Sequence, residues 1–213
     1  MKILIVDDSV GNLEAAKLAA KDFTDHEFVF LNFAKEAMCH LVEVDAIITD
    51  LFFPNEIHND EGELSAYYTL FCSKLRDSSA FDDIVWIYYK GNRMRAEQKL
   101  QRNIAFLESG ANSQFPYGGS IMLRAKELGK RYCLVSDIHR HVMDSDCVSA
   151  PDGIDGMIIL LPLIEENIVS AKQVMQDGKD SLTYFGNEQL YDYGRGKGDP
   201  AIWIEAIRRI LAQ

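Results

Sequence analysis

Residues 1–9, MKILIVDDS, and residues 46–54, AIITDLFFP, decide the fold that this sequence predicts. Each stretch is a short run of Ile, Val and Leu that ends on an acid, which is the composition of a strand buried on both faces. Because parallel strands end at one edge of the sheet, we expect Asp7, Asp8 and Asp50 to lie together there. Three close carboxylates repel one another unless a cation lies among them, and all-oxygen sites suit Mg²⁺. The two stretches therefore predict a magnesium site.

Strands and helices alternate through most of the chain. Such tight alternation indicates right-handed βαβ units and a parallel sheet, so the predicted fold class is α/β within a single domain spanning residues 1–213. Hydrophobic periodicity predicts strands at residues 2–6, 26–31, 45–50 and 132–136, and helices from Ser9 to residue 22, at residues 34–42, at residues 118–128 and after Asp199.

Residues 55–115 interrupt this alternation and are predicted to form a helical insertion. Apolar spacing predicts a helix at residues 64–75. Residues 83–107 are predicted as one long helix, although β-branched and aromatic residues at 84–89 leave a strand there as an alternative. Since the insertion directly follows the acid of the third strand, we expect it either to cover the acidic edge or to supply the surface of a homodimer.

The charge and the apolar pattern argue against several classes of protein. A net charge of −11 opposes nucleic acid as a partner, because phosphate backbones need clustered Lys and Arg. No apolar stretch has the ~20 residues that a membrane span needs, and Met1 leads into a strand instead of a signal peptide. We therefore expect a cytoplasmic protein without a membrane partner. Its four cysteines lack CxxC spacing, which favours reduced thiols.

The motifs MKILIVDDS, TDLFFP and LVSD resemble the receiver domains of two-component response regulators. The resemblance implies a flavodoxin-like, doubly wound parallel sheet of five strands. It also implies that Asp7 and Asp8 hold Mg²⁺ and that Asp50 accepts a phosphoryl group. Phe52 would offer its backbone carbonyl to the metal, and Ser136 would hydrogen-bond a phosphoryl oxygen.

The resemblance further implies a Lys after the fifth strand that pairs with the phosphoryl group. If residues 157–161 form this strand, a Leu-Pro pair stands where the family has Lys-Pro, and the cation is missing. If residues 181–185 form it, the nearest downstream Lys is Lys197, just before the last helix. We favour the second assignment because the final helix looks like the family's last helix. Residues 154–175 then become an enlarged fourth helix region.

The implied function is a signalling receiver with at most self-dephosphorylation as enzymatic activity. A histidine kinase or phosphotransfer protein would phosphorylate Asp50 with Mg²⁺, and this would switch the binding of a downstream protein partner. We expect Asp50 to be reachable from solvent, because its donor has to reach it. One alternative is a degenerate receiver that acts as a phosphorylation-independent scaffold. Another is a Mg²⁺-dependent phosphohydrolase, which is disfavoured because Phe52 stands where a DxD motif has its second acid.

Overall fold

The computed structural model describes residues 1–54, 56–57, 62–76, 94, 114–136, 168–170 and 197–213. Over these residues, strands and helices alternate as the hydrophobic periodicity predicts. The strands are β1 (Lys2–Val6), β2 (Glu27–Leu31), β3 (Ala46–Thr49), β4 (Phe53–Pro54), β5 (Gln114–Phe115), β6 (Arg131–Ser136) and β7 (Ile168–Ser170). The helices are α1 (Val10–Ala20), α2 (Ala34–His40), α3 (Glu63–Arg76), α4 (Tyr117–Glu127) and α5 (Pro200–Ala212), with a 3₁₀ turn at Leu41–Glu43.

A parallel sheet forms the centre of the molecule. Its strands lie in the order β2-β1-β3-β6, so β1 and β3 are flanked on both sides. The register aligns Val6 of β1 with Thr49 of β3, and Thr49 with Leu134 of β6. The carboxyl ends of these strands therefore lie at one edge, which confirms the predicted α/β class.

Helices cover both faces of this sheet. Along β1, Ile3 and Ile5 pack with α1 and α5, whereas Leu4 and Val6 pack in a second cluster with α2 and α4. All four side chains are fully buried. A strand buried on both sides explains why its sequence is a continuous apolar run with no polar alternation.

The short strand β7 corrects the sequence-based assignment of the residues beside β6. Ile168–Ser170 pairs in parallel with Leu134, Val135 and Ser136 of β6. The assignment of residues 154–175 to a helical region is therefore wrong at 168–170, where β-branched residues complete a ladder beside β6. The alternatives at 157–161 and 181–185 lie outside the described residues, as does the helix or strand predicted within residues 83–107.

The two ends of the insertion are joined at its base. Phe53 pairs with Phe115 and Pro54 with Gln114 in an antiparallel ladder, so the two ends of the predicted insertion lie side by side. Within the insertion, α3 confirms the helix predicted at residues 64–75. Across the part of the chain that the structure describes, no helix has the length and apolarity to cross a bilayer.

Candidate functional site

The carboxyl edge of the sheet brings the three predicted acids together. Asp7 and Asp8 follow β1, and Asp50 follows β3. The backbone N–H of Asp50 donates to the carbonyl of Val6 over 2.8 Å, which extends the ladder to the first residue after β3. One carboxylate oxygen from each of Asp7, Asp8 and Asp50 lies within 4.8 Å of the other two. Parallel pairing of two apolar strands is thus sufficient to create this acidic cluster.

The carboxylates of Asp7 and Asp50 are oriented by hydrogen bonds to one oxygen each. Oδ1 of Asp7 accepts from the backbone N–H of Ser9 and from Nδ2 of Asn12, both over 2.9 Å. Oδ1 of Asp50 accepts from the backbone N–H of Leu51 over 2.7 Å. These local bonds fix each side chain with its second oxygen, Oδ2, available to another group.

Lys197 is that group for both carboxylates. Its ammonium nitrogen lies 2.8 Å from Oδ2 of Asp7 and 2.7 Å from Oδ2 of Asp50. The Lys is 5% exposed, and the two acids are 0% and 1% exposed. The structure therefore places Lys197, although far away in the chain, at the acids with which the resemblance to receiver domains associates it.

Local signals at the start of α5 explain how Lys197 is held. Asp199 caps the helix, because its Oδ1 accepts from the backbone N–H of Ala201 over 3.0 Å, and Pro200 occupies the first turn. The indole Nε1 of Trp203 donates to the backbone carbonyl of Lys197 over 2.6 Å. The apolar face of α5 packs on the sheet with α1, so Lys197 is fixed relative to β1 and β3.

Among the described residues, the charges of this cluster do not balance. Two buried carboxylates face one ammonium, and Asp8 adds a third carboxylate beside them. Burial raises the pKa of Asp50 to about 7, with the Lys197 charge lowering it and the Asp7 charge raising it. Burial lowers the pKa of Lys197, but Asp50 and Asp7 outweigh this and the net direction is upward. The excess negative charge can be relieved by protonation of Asp50 or by a further cation.

The burial of Asp50 contradicts the expectation that this side chain is open to solvent. Only 1% of the residue is exposed, and the Lys197 ammonium lies against its outer oxygen. Asp50 directly follows β3, which lies between β1 and β6, and its carboxylate also accepts from the backbone N–H of Leu51. A donor can therefore reach Asp50 only if the groups that cover it move.

The two remaining predicted site residues also lie at this edge. Phe52 is half-buried and follows Asp50 by two residues, before the short strand β4. Ser136 is the last residue of β6, and its backbone is in register with Ser170 of β7. Their predicted roles toward a metal and a phosphoryl group stay predictions.

Gly118 is a site residue that sequence reasoning missed. A Cβ at this position would lie 1.9 Å from the carbonyl oxygen of Asp50 and 2.8 Å from Cα of Leu51. The backbone N–H of Gly118 donates to the carbonyl of Leu51 over 3.0 Å. The first turn of α4 therefore rests directly on the backbone of Asp50. The glycine pair at residues 118–119, at the start of an amphipathic helix, was the available signal.

Glu56 is a second residue that sequence reasoning missed. Its carboxylate accepts from the backbone N–H groups of Ala34 and Lys35 over 2.8 and 2.7 Å, so it caps α2 from a distant part of the chain. Burial raises the pKa of Glu56, against the lowering effect of these two hydrogen bonds. Since the cap comes from outside the helix, no local motif at the start of α2 could have revealed it.

A scan against protein-family models and searches of curated proteins and of solved structures each found no match. The resemblance to receiver domains therefore depends on the residues themselves.

Proposed function

We propose that this chain is a phosphorylation-responsive signalling receiver with a flavodoxin-like, doubly wound sheet of five strands, β7 being the fifth. The observation that carries the proposal is the convergence of Asp7, Asp50 and Lys197 at the carboxyl edge of a parallel sheet. Carboxylates beside a fixed ammonium suit the chemistry of phosphoryl transfer, which depends on positioning and on neutralised charge. A histidine kinase or phosphotransfer protein is the proposed donor, and a downstream protein is the proposed partner.

Asp50 is the proposed nucleophile. Oδ2 of Asp50 would form a bond to phosphorus while the P–N bond of a phosphohistidine donor breaks, and the departing imidazole keeps the electron pair. Lys197 would shift from Oδ2 to the new phosphoryl oxygens, because they carry more negative charge than the carboxylate they replace. Leu51 would continue to donate to Oδ1 and would hold the acyl phosphate in place. Ser136 would hydrogen-bond a phosphoryl oxygen.

The residues at the site fit a divalent cation. Their donors are carboxylate oxygens, and the negative charge exceeds the single ammonium among the described residues. Asp7, Asp8, Asp50 and the backbone carbonyl of Phe52 would hold Mg²⁺, which when bound supplies positive charge to the phosphoryl oxygens.

The burial of Asp50 favours a second candidate, a phosphorylation-independent scaffold. In that case the ion pairs between Lys197 and the two acids would only stabilise the fold, and Lys197 would stay in place. The two candidates differ in whether Lys197 moves away from Asp50, since a phosphoryl donor needs the space that Lys197 fills.

Intact mass spectrometry after incubation with Mg²⁺ and acetyl phosphate separates the candidates. The receiver predicts one phosphoryl adduct, absent without Mg²⁺ and absent in Asp50→Asn. Asp45→Asn is a matched control, because Asp45 lies at the opposite end of β3 and its carboxylate accepts from the backbone of Lys2. A wild-type protein that gains no adduct and no stability from Mg²⁺ would leave only the scaffold. Repeated turnover of acetyl phosphate would instead indicate a phosphohydrolase.

A further inference from the structure

Trp203 contacts the candidate site through the main chain of Lys197. Its side chain is fully buried in the cluster formed by α1, α5 and the sheet. The indole N–H donates to the carbonyl of Lys197 over 2.6 Å, inside the buried region. An indole N–H is only a donor, and when buried it needs an acceptor. Trp203 therefore combines a large apolar contact with one directed bond to the residue that carries the ammonium.

The residue that follows Lys197 adds no side-chain packing that would fix its backbone. Gly198 follows directly, is exposed, and a Cβ built there would meet no atom within 4 Å. A side chain at position 198 therefore does not hold the chain between Lys197 and the cap of α5 at Asp199. A Lys side chain is also flexible, with several rotatable bonds to order before its ammonium can meet two acids.

We propose that Trp203 is a positioning residue, whose indole N–H holds the main chain of Lys197 so that the ammonium meets Asp7 and Asp50. The role in orienting Lys197 stands on the contacts alone, and its consequence for phosphoryl binding rests on the proposed function. The position of α5 on the sheet thereby sets the position of the cation at the acids. Removal of the indole N–H would leave α5 in place and let Lys197 move away from the acids.

Amine labelling at Lys197 tests this positioning without any phosphoryl ligand. Reductive methylation followed by peptide mass spectrometry reports how often the ammonium leaves the acids, and the exposed Lys21 serves as an internal reference. Trp203→Phe keeps an aromatic ring but removes the donor. We expect Lys197 to be labelled about tenfold faster in this variant, the change that loss of one hydrogen bond produces. An unchanged Lys197 rate would overturn the proposal.

Two further variants separate positioning from a general loss of packing. Ile207→Val weakens the same buried cluster without touching Lys197, and it should leave the labelling of Lys197 unchanged. Replacement of Trp203 by 3-benzothienylalanine keeps the shape of the indole and removes only the N–H, and it should reproduce the effect of Trp203→Phe. Equal acceleration by Ile207→Val, or no acceleration by the isostere, would show that Trp203 acts only through packing.

A double-mutant cycle then connects Trp203 to the proposed chemistry. Calorimetric titration with beryllofluoride in Mg²⁺ should show about tenfold weaker binding in Trp203→Phe, and no further loss when the change is made in Lys197→Met. Additive losses would overturn the positioning role. If the wild-type chain binds no beryllofluoride, the proposed function fails, while the labelling experiment still decides the role of Trp203.

Discussion

The ammonium nitrogen of Lys197 lies 2.7 Å from Oδ2 of Asp50, and both groups are buried. Removing one partner of such a pair leaves an uncompensated charge, which costs about 3–5 kcal/mol. Partial protonation of Asp50, whose pKa is raised to about 7 by burial, relieves part of that cost. The stability of the metal-free protein therefore depends on the same Lys that covers the candidate phosphoacceptor.

Lys197→Met is predicted to lower the metal-free unfolding free energy by about 3 kcal/mol and to strengthen Mg²⁺ binding. Without the ammonium, the carboxylates of Asp7 and Asp50 repel each other, and both become available to bind a divalent cation. Urea denaturation with and without Mg²⁺ measures both effects. Lys17→Met, which removes an exposed ion pair with Glu14, should change stability by less than about 1 kcal/mol. If Mg²⁺ stabilises Lys197→Met no more than it stabilises the wild type, Lys197 and Mg²⁺ do not compete for the carboxylates of Asp7 and Asp50.

Asp8→Ala is predicted to weaken Mg²⁺ binding and to leave the fold intact. Asp8 is half-buried and lies at the outer side of the acidic cluster, whereas the contacts of Asp7 and Asp50 to Lys197 persist in the variant. Loss of a residue that only supports a metal ligand costs about 10–100-fold in affinity, so loss of a ligand should cost at least as much. The unfolding temperature, measured at increasing Mg²⁺ concentrations, gives the Mg²⁺ affinity of each variant. The exposed Asp22→Ala is the control, and equal titrations for both variants would remove Asp8 from the metal site.

Gly118→Ala is predicted to destabilise the protein by about 1–3 kcal/mol, the usual cost of overpacking. The added Cβ would lie 1.9 Å from the carbonyl of Asp50, so either α4 or the Asp50 backbone has to shift. Gly11→Ala is the matched control in the exposed part of α1, where the added Cβ meets only the Ser9 hydroxyl at 3.8 Å. It should stabilise the protein by about 0.5–1 kcal/mol. Chemical denaturation compares the two variants, and a neutral Gly118→Ala would show that this contact relaxes freely.

The sequence predicted the acidic cluster because its geometry is local to two strands. Buried apolar runs identify β1 and β3, and parallel pairing then places Asp7 and Asp50 together without further information. The last helix was predictable for a similar reason, since Asp199 and Pro200 mark its start and its apolar stripe marks its buried face.

Other features depend on contacts that no local pattern encodes. The strand at Ile168–Ser170 has three residues, too few for a periodicity, and it is recognised by its pairing with β6. The burial of Asp50 follows from how distant segments pack, as does the bond from Trp203 to Lys197. The resemblance to receiver domains could name Lys197 as a candidate, but its approach to the acids depends on the docking of α5.

Glu56→Gln is predicted to reduce the pH dependence of stability. Burial raises the pKa of Glu56 in the folded state above its unfolded value of about 4.3. Its stabilising contribution is therefore fully present below the unfolded pKa and is lost as the pH rises through the folded pKa. Glutamine cannot ionise, so the variant should lose less stability across that interval than the wild type.

The same variant also tests the cap of α2. The amide group of glutamine has one accepting oxygen, whereas both oxygens of the Glu56 carboxyl group accept hydrogen bonds, from Ala34 and from Lys35. Glu56→Gln should therefore cost about 0.5–2 kcal/mol at low pH, where the carboxyl group is neutral. Urea denaturation across a pH series, with the exposed Glu36→Gln as control, measures the cost and the slope together. A variant whose stability runs parallel to the wild type across the series would show that Glu56 does not titrate with folding. A variant as stable as the wild type at low pH would show that the cap is dispensable.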